Sequence, residues 1–139
     1  MEKIIEYTSE NQVFWEWTEK KIQHDSESEP GFHFYEREIW WAALGKNIGH
    51  EMDGKNSSFE RPVLILKKFS HSMCLVLPLT TKVREENENY FKLPIDGKQG
   101  AVVLPQPRTI SIKRLINYVE TVKPEDFSLI KEKFNKILA

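Results

Sequence analysis

The sequence predicts a mainly β chain of α+β class: a small barrel or sandwich with one helix before it and one after it. Three observations predict this. From residue 36 onward, six short runs rich in branched and aromatic residues follow one another, each bounded by turn formers. A segment of helical character precedes them, and an apolar stripe at helical spacing closes the chain. No internal repeat or low-complexity tract competes with this reading.

Residues 1–35 read as an N-terminal helical extension and residues 36–139 as the barrel domain. Ser9 and Gln12 have the spacing of a capping box, which predicts a helix from about residue 10 to 24. Phe14, Trp17 and Lys21 share one face of it, and Trp15, Thr18 and Ile22 another. Aromatics spread over two faces predict docking on the main body or on a partner. The polar stretch 25–31 has loop composition and ends in a Pro-Gly turn. Strands are expected over 37–44, 62–69, 73–79, 90–94, 101–104 and 116–122, with a short turn at 111–114. Trp40 and Trp41 point to opposite faces of the first strand, so at least one belongs to the core. In the last helix, Pro124 suits the first turn, and Glu125 and Asp126 favour its positive end. Phe127, Ile130, Phe134 and Ile137 form its packing stripe.

At 139 residues, the chain has the length of one compact domain. A 40% hydrophobic and 29% charged composition is that of a globular protein. No apolar run approaches the ~20 residues that cross a bilayer, and the first ten residues lack the apolar centre of a signal peptide. Cytoplasmic residence is expected. The one cysteine, Cys74, cannot close an internal disulfide and is expected to fill the interior. His24, His33 and His71 are scattered without ligand spacing, so no metal or cofactor is expected. A net charge of −1 gives no overall basic footprint. The distribution still permits a local positive groove, because Lys46, Lys55, Lys67, Lys68, Lys82, Arg84, Arg108, Lys113 and Arg114 are central, whereas acid gathers at 25–29 and 85–88.

Five short pieces stand in a fixed order: Glu38-Ile39-Trp40-Trp41, Asn47-Ile48-Gly49-His50-Glu51, Arg61-Pro62-Val63-Leu64-Ile65, Pro78-Leu79-Thr80-Thr81-Lys82 and Gln106-Pro107-Arg108-Thr109-Ile110. Each alone is a weak signal. Together, over roughly residues 36–139, they closely resemble the PemK/MazF family of toxins from type II toxin–antitoxin systems. The resemblance implies a small SH3-like β-barrel with short helices, including one at the C-terminus. It implies a homodimer whose groove takes single-stranded RNA or the tail of a cognate antitoxin, with DNA binding acquired through the antitoxin. The implied activity is that of a metal-independent, sequence-selective endoribonuclease acting on messenger RNA.

On the family's pattern, the catalytic arginine that precedes the Pro-Val-Leu strand is Arg61, and the catalytic threonine or serine is Thr80. The histidine after glycine in PemK-like members is His50. Glu51 matches the neighbouring acidic position, and Gln106 and Arg108 match the Gln-x-Arg-Thr-Ile element; with Lys82, these are the expected RNA contacts. The chain departs from the pattern in three places. Met52 stands where the family usually has glutamine, residues 53–60 make a longer loop before Arg61, and Pro105 and Val103 stand where close PemK relatives carry an acidic residue and an arginine. The MazF-type arrangement of arginine plus threonine is retained.

These residue types suit the implied chemistry. Cleavage without a metal requires that the ribose 2′-OH lose a proton, that charge on a phosphorane-like transition state be stabilised, and that the 5′-oxygen gain a proton. A guanidinium is a planar fork of donors that stays charged near neutral pH, so the expected role of Arg61 is a phosphate clamp, not a base. Histidine moves protons near neutral pH, the role expected of His50, and the Thr80 hydroxyl can donate one hydrogen bond to a phosphate oxygen. Two other readings fit the same pattern: a non-catalytic toxin of the superfamily that binds DNA gyrase, and an SH3-like interaction module presenting the aromatic residues 14–17. Arg61 and Thr80 occurring together favour cleavage, since a pure binder has no need of a clamp beside a hydroxyl.

Overall fold

In a computed structural model, residues 11–55, 59–82, 85 and 87–139 are described. The element order is α1 (Gln12–Ser26), β1 (Glu38–Ala43), β2 (Glu60–Lys68), β3 (Met73–Thr80), β4 (Tyr90–Lys92), β5 (Ala101–Val103), β6 (Arg108–Ser111), β7 (Leu115–Thr121) and α2 (Pro124–Leu138). A 3-10 turn, Ile112–Arg114, lies between β6 and β7 where a turn is expected. The mainly β, α+β architecture is as the sequence predicts. The first helix is found as Gln12–Ser26; the capping-box residue Ser9 lies outside the described residues, as does Arg84.

All the strands join one antiparallel sheet in the order β4-β5-β3-β2-β1-β7, with β6 alongside β3. β3 decides the shape. One of its edges pairs with β2. Its other edge is shared: residues 73–76 pair with β6, and Leu79 and Thr80 pair with β5. The sheet therefore parts between these two partners, and residues 104–107 cross the gap. Pro78, Pro105 and Pro107 lie at this parting. None carries an N–H, so the ladder opens with fewer donors to satisfy. The strand β6 is absent from the expectation, because four residues are too few to show an alternation and only the pairing with β3 makes them a strand.

Strands β2 and β3 are buried on both faces, which explains their near-continuous apolar runs. On one face, Ile39, Leu64, Leu77 and Leu79 pack beneath α2 through Phe127, Ile130 and Phe134, the predicted stripe. On the other, Trp40, Val63, Ile65, Cys74, Val76 and Ile110 enclose Phe34. Alternation along β1 places Trp40 inside and leaves Trp41 37% exposed. The N-terminal helix touches the rest of the chain through one deeply buried side chain, Trp17, which packs on Ala43 and Phe59; Val13, Phe14, Trp15 and Ile22 are exposed. Among the described residues, no helix is long and apolar enough to cross a membrane.

Two outcomes follow. Ile130 is fully buried and its neighbour Leu129 half exposed; in urea titrations, Ile130→Ala should cost about 2–5 kcal/mol, and Leu129→Ala less than about 0.5 kcal/mol. Burial pushes the Cys74 thiol up from 9.0 to about 12. A raised folded pKa gives stability that is complete below the unfolded thiol's value and is lost as pH rises towards the folded one. Denaturation midpoints should therefore fall between about pH 9 and 12, and Cys74→Ala should flatten that part of the profile.

Candidate active site

Arg61 and Thr80 stand near the end of the β2–β3 ladder. Val63 faces Pro78 across it. Arg61 and Thr80 each lie two residues beyond that pair. Alternation along each strand puts both on the face of Val63 and Ile65, away from α2. Arg61 is 7% exposed and Thr80 5%; among the described residues, they are the only polar or charged side chains in the buried interior.

Burying a guanidinium costs several kcal/mol unless its donors are met. The Arg61 Nε–H donates to the Asp53 carbonyl, and Nη1 donates to the Leu79 carbonyl at 3.1 Å. No acceptor among the described residues takes Nη2, and no carboxylate pairs with the group. The Asp53 carboxylate is engaged elsewhere, by Lys46 Nζ at 2.9 Å and by the Asn47 N–H. Burial pulls the Arg61 pKa below its ordinary value, and the negative charge of Asp53 partly opposes this. The Thr80 Oγ1 accepts from the Lys82 N–H at 3.2 Å, which leaves the hydroxyl proton available to donate. Two donors, one charged and one neutral, thus share one face at the end of β2–β3.

A further cation joins them. Lys55 and Glu60 form a two-residue bridge, which sets Lys55 beside Arg61. Its pKa is lowered by burial and then by repulsion from Arg61 and Lys82. Lys55 thus feels positive charge from both Arg61 and Lys82, which a bound anion would relieve. Lys82 is an expected site residue. Lys55 is not: it sits in the atypical loop 53–60, and nothing in the linear sequence ties it to Lys82.

The remaining candidates line a cleft of about 600 Å³ where β5 and β6 part, bounded by His50, Glu51, Pro78, Gln106 and Arg108. Gln106 holds the cleft's loop. Its Oε1 accepts from the Met52 N–H at 2.7 Å, and its Nε2 donates to the His50 carbonyl at 3.0 Å. Both polar ends of its amide are thereby engaged by loop backbone. The Glu51 Oε1 accepts from the Ile48 N–H at 3.0 Å. Arg108 donates to the Leu44 carbonyl and Arg114 to the Ala43 carbonyl, each at 2.9 Å. Burial lowers the Arg108 pKa, with Glu51 opposing; burial and the nearby Arg108 push Arg114 down to about 10. His50 is exposed on the cleft rim and makes no side-chain hydrogen bond to Arg61 or Thr80. The structure thus forms two adjoining groups, Arg61–Thr80–Lys82–Lys55 and His50–Glu51–Gln106–Arg108. The chain from His50 to Asp53 connects them, because Asp53 supplies the carbonyl that holds Arg61. Among the described residues, no group of His, Cys, Asp or Glu could hold a metal ion.

A small antiparallel β domain with a buried arginine held by backbone carbonyls, a buried threonine on the neighbouring strand and a polar cleft nearby is the class defined here. Residues 35–138 match the family described as PemK-like, MazF-like toxin of type II toxin–antitoxin system. The chain belongs to that family. Its fold is also that of solved MazF structures. The Mycobacterium tuberculosis toxin MazF-mt6 aligns at a TM-score of 0.57 and 19% identity, over 73% of this chain and 96% of that one. MazF from Deinococcus radiodurans aligns at 0.59 and 17%, over 77% and 97%. An endoribonuclease from a Mycobacterial species, solved in complex with its cognate antitoxin, aligns at 0.59 and 17%, over 76% and 94%. No curated protein sequence matches the chain.

The pinning by Gln106 is testable without any substrate. Gln106→Ala should leave the Met52 N–H and the His50 carbonyl without their partner, at a cost of about 1 kcal/mol. Amide exchange at Met52 should accelerate while the β2–β3 ladder keeps its protection.

Proposed function

We propose that this toxin is an endoribonuclease that cuts single-stranded messenger RNA without a metal, through attack of the ribose 2′-oxygen on the adjacent phosphorus. One observation carries the proposal: among the described residues, the two polar or charged side chains in the buried interior are an arginine and a threonine, on neighbouring strands β2 and β3. A charge held out of water without an ionic partner gives little stability, and an incoming phosphate supplies what it lacks.

In this reading, Arg61 Nη2 and the Thr80 hydroxyl donate to the non-bridging oxygens of the scissile phosphate, where negative charge grows in the transition state. The 2′-oxygen bonds to phosphorus as its proton leaves, the bond to the 5′-oxygen breaks, and that oxygen takes up a proton. The products are a 2′,3′-cyclic phosphate and a 5′-hydroxyl end. His50, three residues before Asp53 in the same loop, is the proton carrier. Lys55 and Lys82 hold neighbouring phosphates, and the cleft beside Arg108 and Glu51 receives the bases on one side of the cut. The need for a 2′-OH restricts the reaction to RNA. A cognate antitoxin, through which the pair would bind DNA, and a second copy of the chain complete the assembly. Residues 36–139 form the toxin domain and residues 1–35 an extension, a division supported by a family match that starts at residue 35.

Purified protein incubated with RNA of mixed sequence should cut it in excess chelator and leave 2′,3′-cyclic phosphate ends. Arg61→Ala should slow cleavage by about 10²–10³-fold. His50→Ala should slow it by at least about 10²-fold and remove one limb of the pH–rate profile. Cleavage abolished by chelator and restored by magnesium would refute the mechanism; intact RNA together with inhibition of DNA gyrase would favour the non-catalytic reading.

A further inference from the structure

We infer that Trp17 of the N-terminal helix is a positioning residue for the site: its indole packs on Gly45 and Phe59, the two feet of the connection that carries His50, Asp53 and Lys55 and ends just before Arg61. Its role in catalysis rests on the nuclease reading above; its grip on the loop does not.

The loop leaves β1 at Gly45, whose φ is +83°. That backbone favours glycine, and a methyl group there would also overlap the Trp17 indole. Glycine is thus required at this position by conformation and by the close approach of the ring. The loop returns at Phe59, whose ring centroid lies 5.4 Å from that of Trp17. The Phe59 carbonyl accepts from both the Leu44 N–H at 3.0 Å and the Gly45 N–H at 3.2 Å, tying the two feet together. Phe59 has a φ of +57°, an uncommon backbone for a large side chain that packing must maintain. Trp17, with Ala43, supplies that packing.

The grip reaches the catalytic candidates by a short route. The Gly54 N–H donates to the Gly45 carbonyl at 2.7 Å, folding the loop back on its neck. A side chain at Gly54 would overlap the Phe59 carbonyl. Asp53, the residue before it, gives Arg61 the carbonyl that orients the guanidinium. On the far side of the indole, the Arg114 guanidinium lies 5.8 Å from the ring and donates to the Ala43 carbonyl, at the end of β1. Trp17 is the one buried residue of α1. The extension therefore supports the loop that shapes the site, where docking across the cleft would have covered it.

The test uses the full chain with Trp17→Ala and Trp17→Phe. Amide exchange is followed at Gly45, Gly54 and Lys55, with Leu64 and Leu77 as ladder references, beside RNA cleavage kinetics. Trp17→Ala should speed exchange at the loop amides by more than about tenfold, with the ladder unchanged. It should lower kcat by about a hundredfold and change KM by less than about threefold, the signature of misplaced groups and not of lost binding. Trp17→Phe, which keeps a ring against Gly45 and Phe59, should recover most of both. If Trp17→Ala does not fold, Trp17→Leu makes the same comparison. Loop amides that exchange as in the wild type overturn the inference, as does a loosened loop with unchanged kcat. Should the wild-type protein prove to cut no RNA, the nuclease reading fails, and the exchange measurement alone decides whether Trp17 holds the loop.

Discussion

A guanidinium kept from water by backbone carbonyls is the interaction on which the rest of the site depends. Carbonyl dipoles hold the Arg61 fork in one orientation without neutralising it, so the charge remains available to a ligand. A carboxylate in the same place would have satisfied the arginine and closed the site. The acid nearest to it, Asp53, is bonded to Lys46 and to the Asn47 N–H, and it reaches Arg61 through its main chain. Lys55 and Lys82 add to the uncompensated charge. Preorganised donors of this kind need no rearrangement when charge develops in the transition state, which is where electrostatic catalysis gains its rate.

The topology of the sheet makes this arrangement possible. Because β3 shares one edge between β6 and β5, the sheet opens near Thr80 instead of continuing past it. The cleft lies at this opening, and the proline-rich crossing 104–107 forms its wall. Gln106 then ties the crossing to the loop at His50 and Met52. Trp17 secures the other end of the same loop at Gly45 and Phe59. Local chain order in the loop is thus set from two distant parts of the sequence.

What could be read in one dimension was what repeats or what sits in a recognisable order. The branched and aromatic runs announce β1, β2, β3, β4, β5 and β7, alternation sends Trp40 inward, and the helical stripe 127–137 marks the face of α2. Arg61 and Thr80 could be singled out because each flanks an apolar strand in a family motif; their burial could not be read there. The rest depended on long-range pairing. The strand β6 exists because β3 accepts it. Lys55 joins the cationic group through a bridge to Glu60. Gln106 reads as a ligand contact in a motif, yet its amide is spent on loop backbone. The destination of Trp17 could not be read from α1, where four other large apolar side chains, Val13, Phe14, Trp15 and Ile22, look equally suited to docking and are exposed.

The most direct measurement is the position of the scissile phosphate in a crystal structure of the protein with an RNA strand carrying a 2′-deoxy nucleotide at the cut site, which binds but cannot react. The account predicts a non-bridging oxygen within hydrogen-bonding distance of both Arg61 Nη2 and Thr80 Oγ1, with the Asp53 and Leu79 carbonyls still holding the other guanidinium nitrogens. RNA bound elsewhere on the protein, with Arg61 and Thr80 making no contact to phosphate, would contradict it.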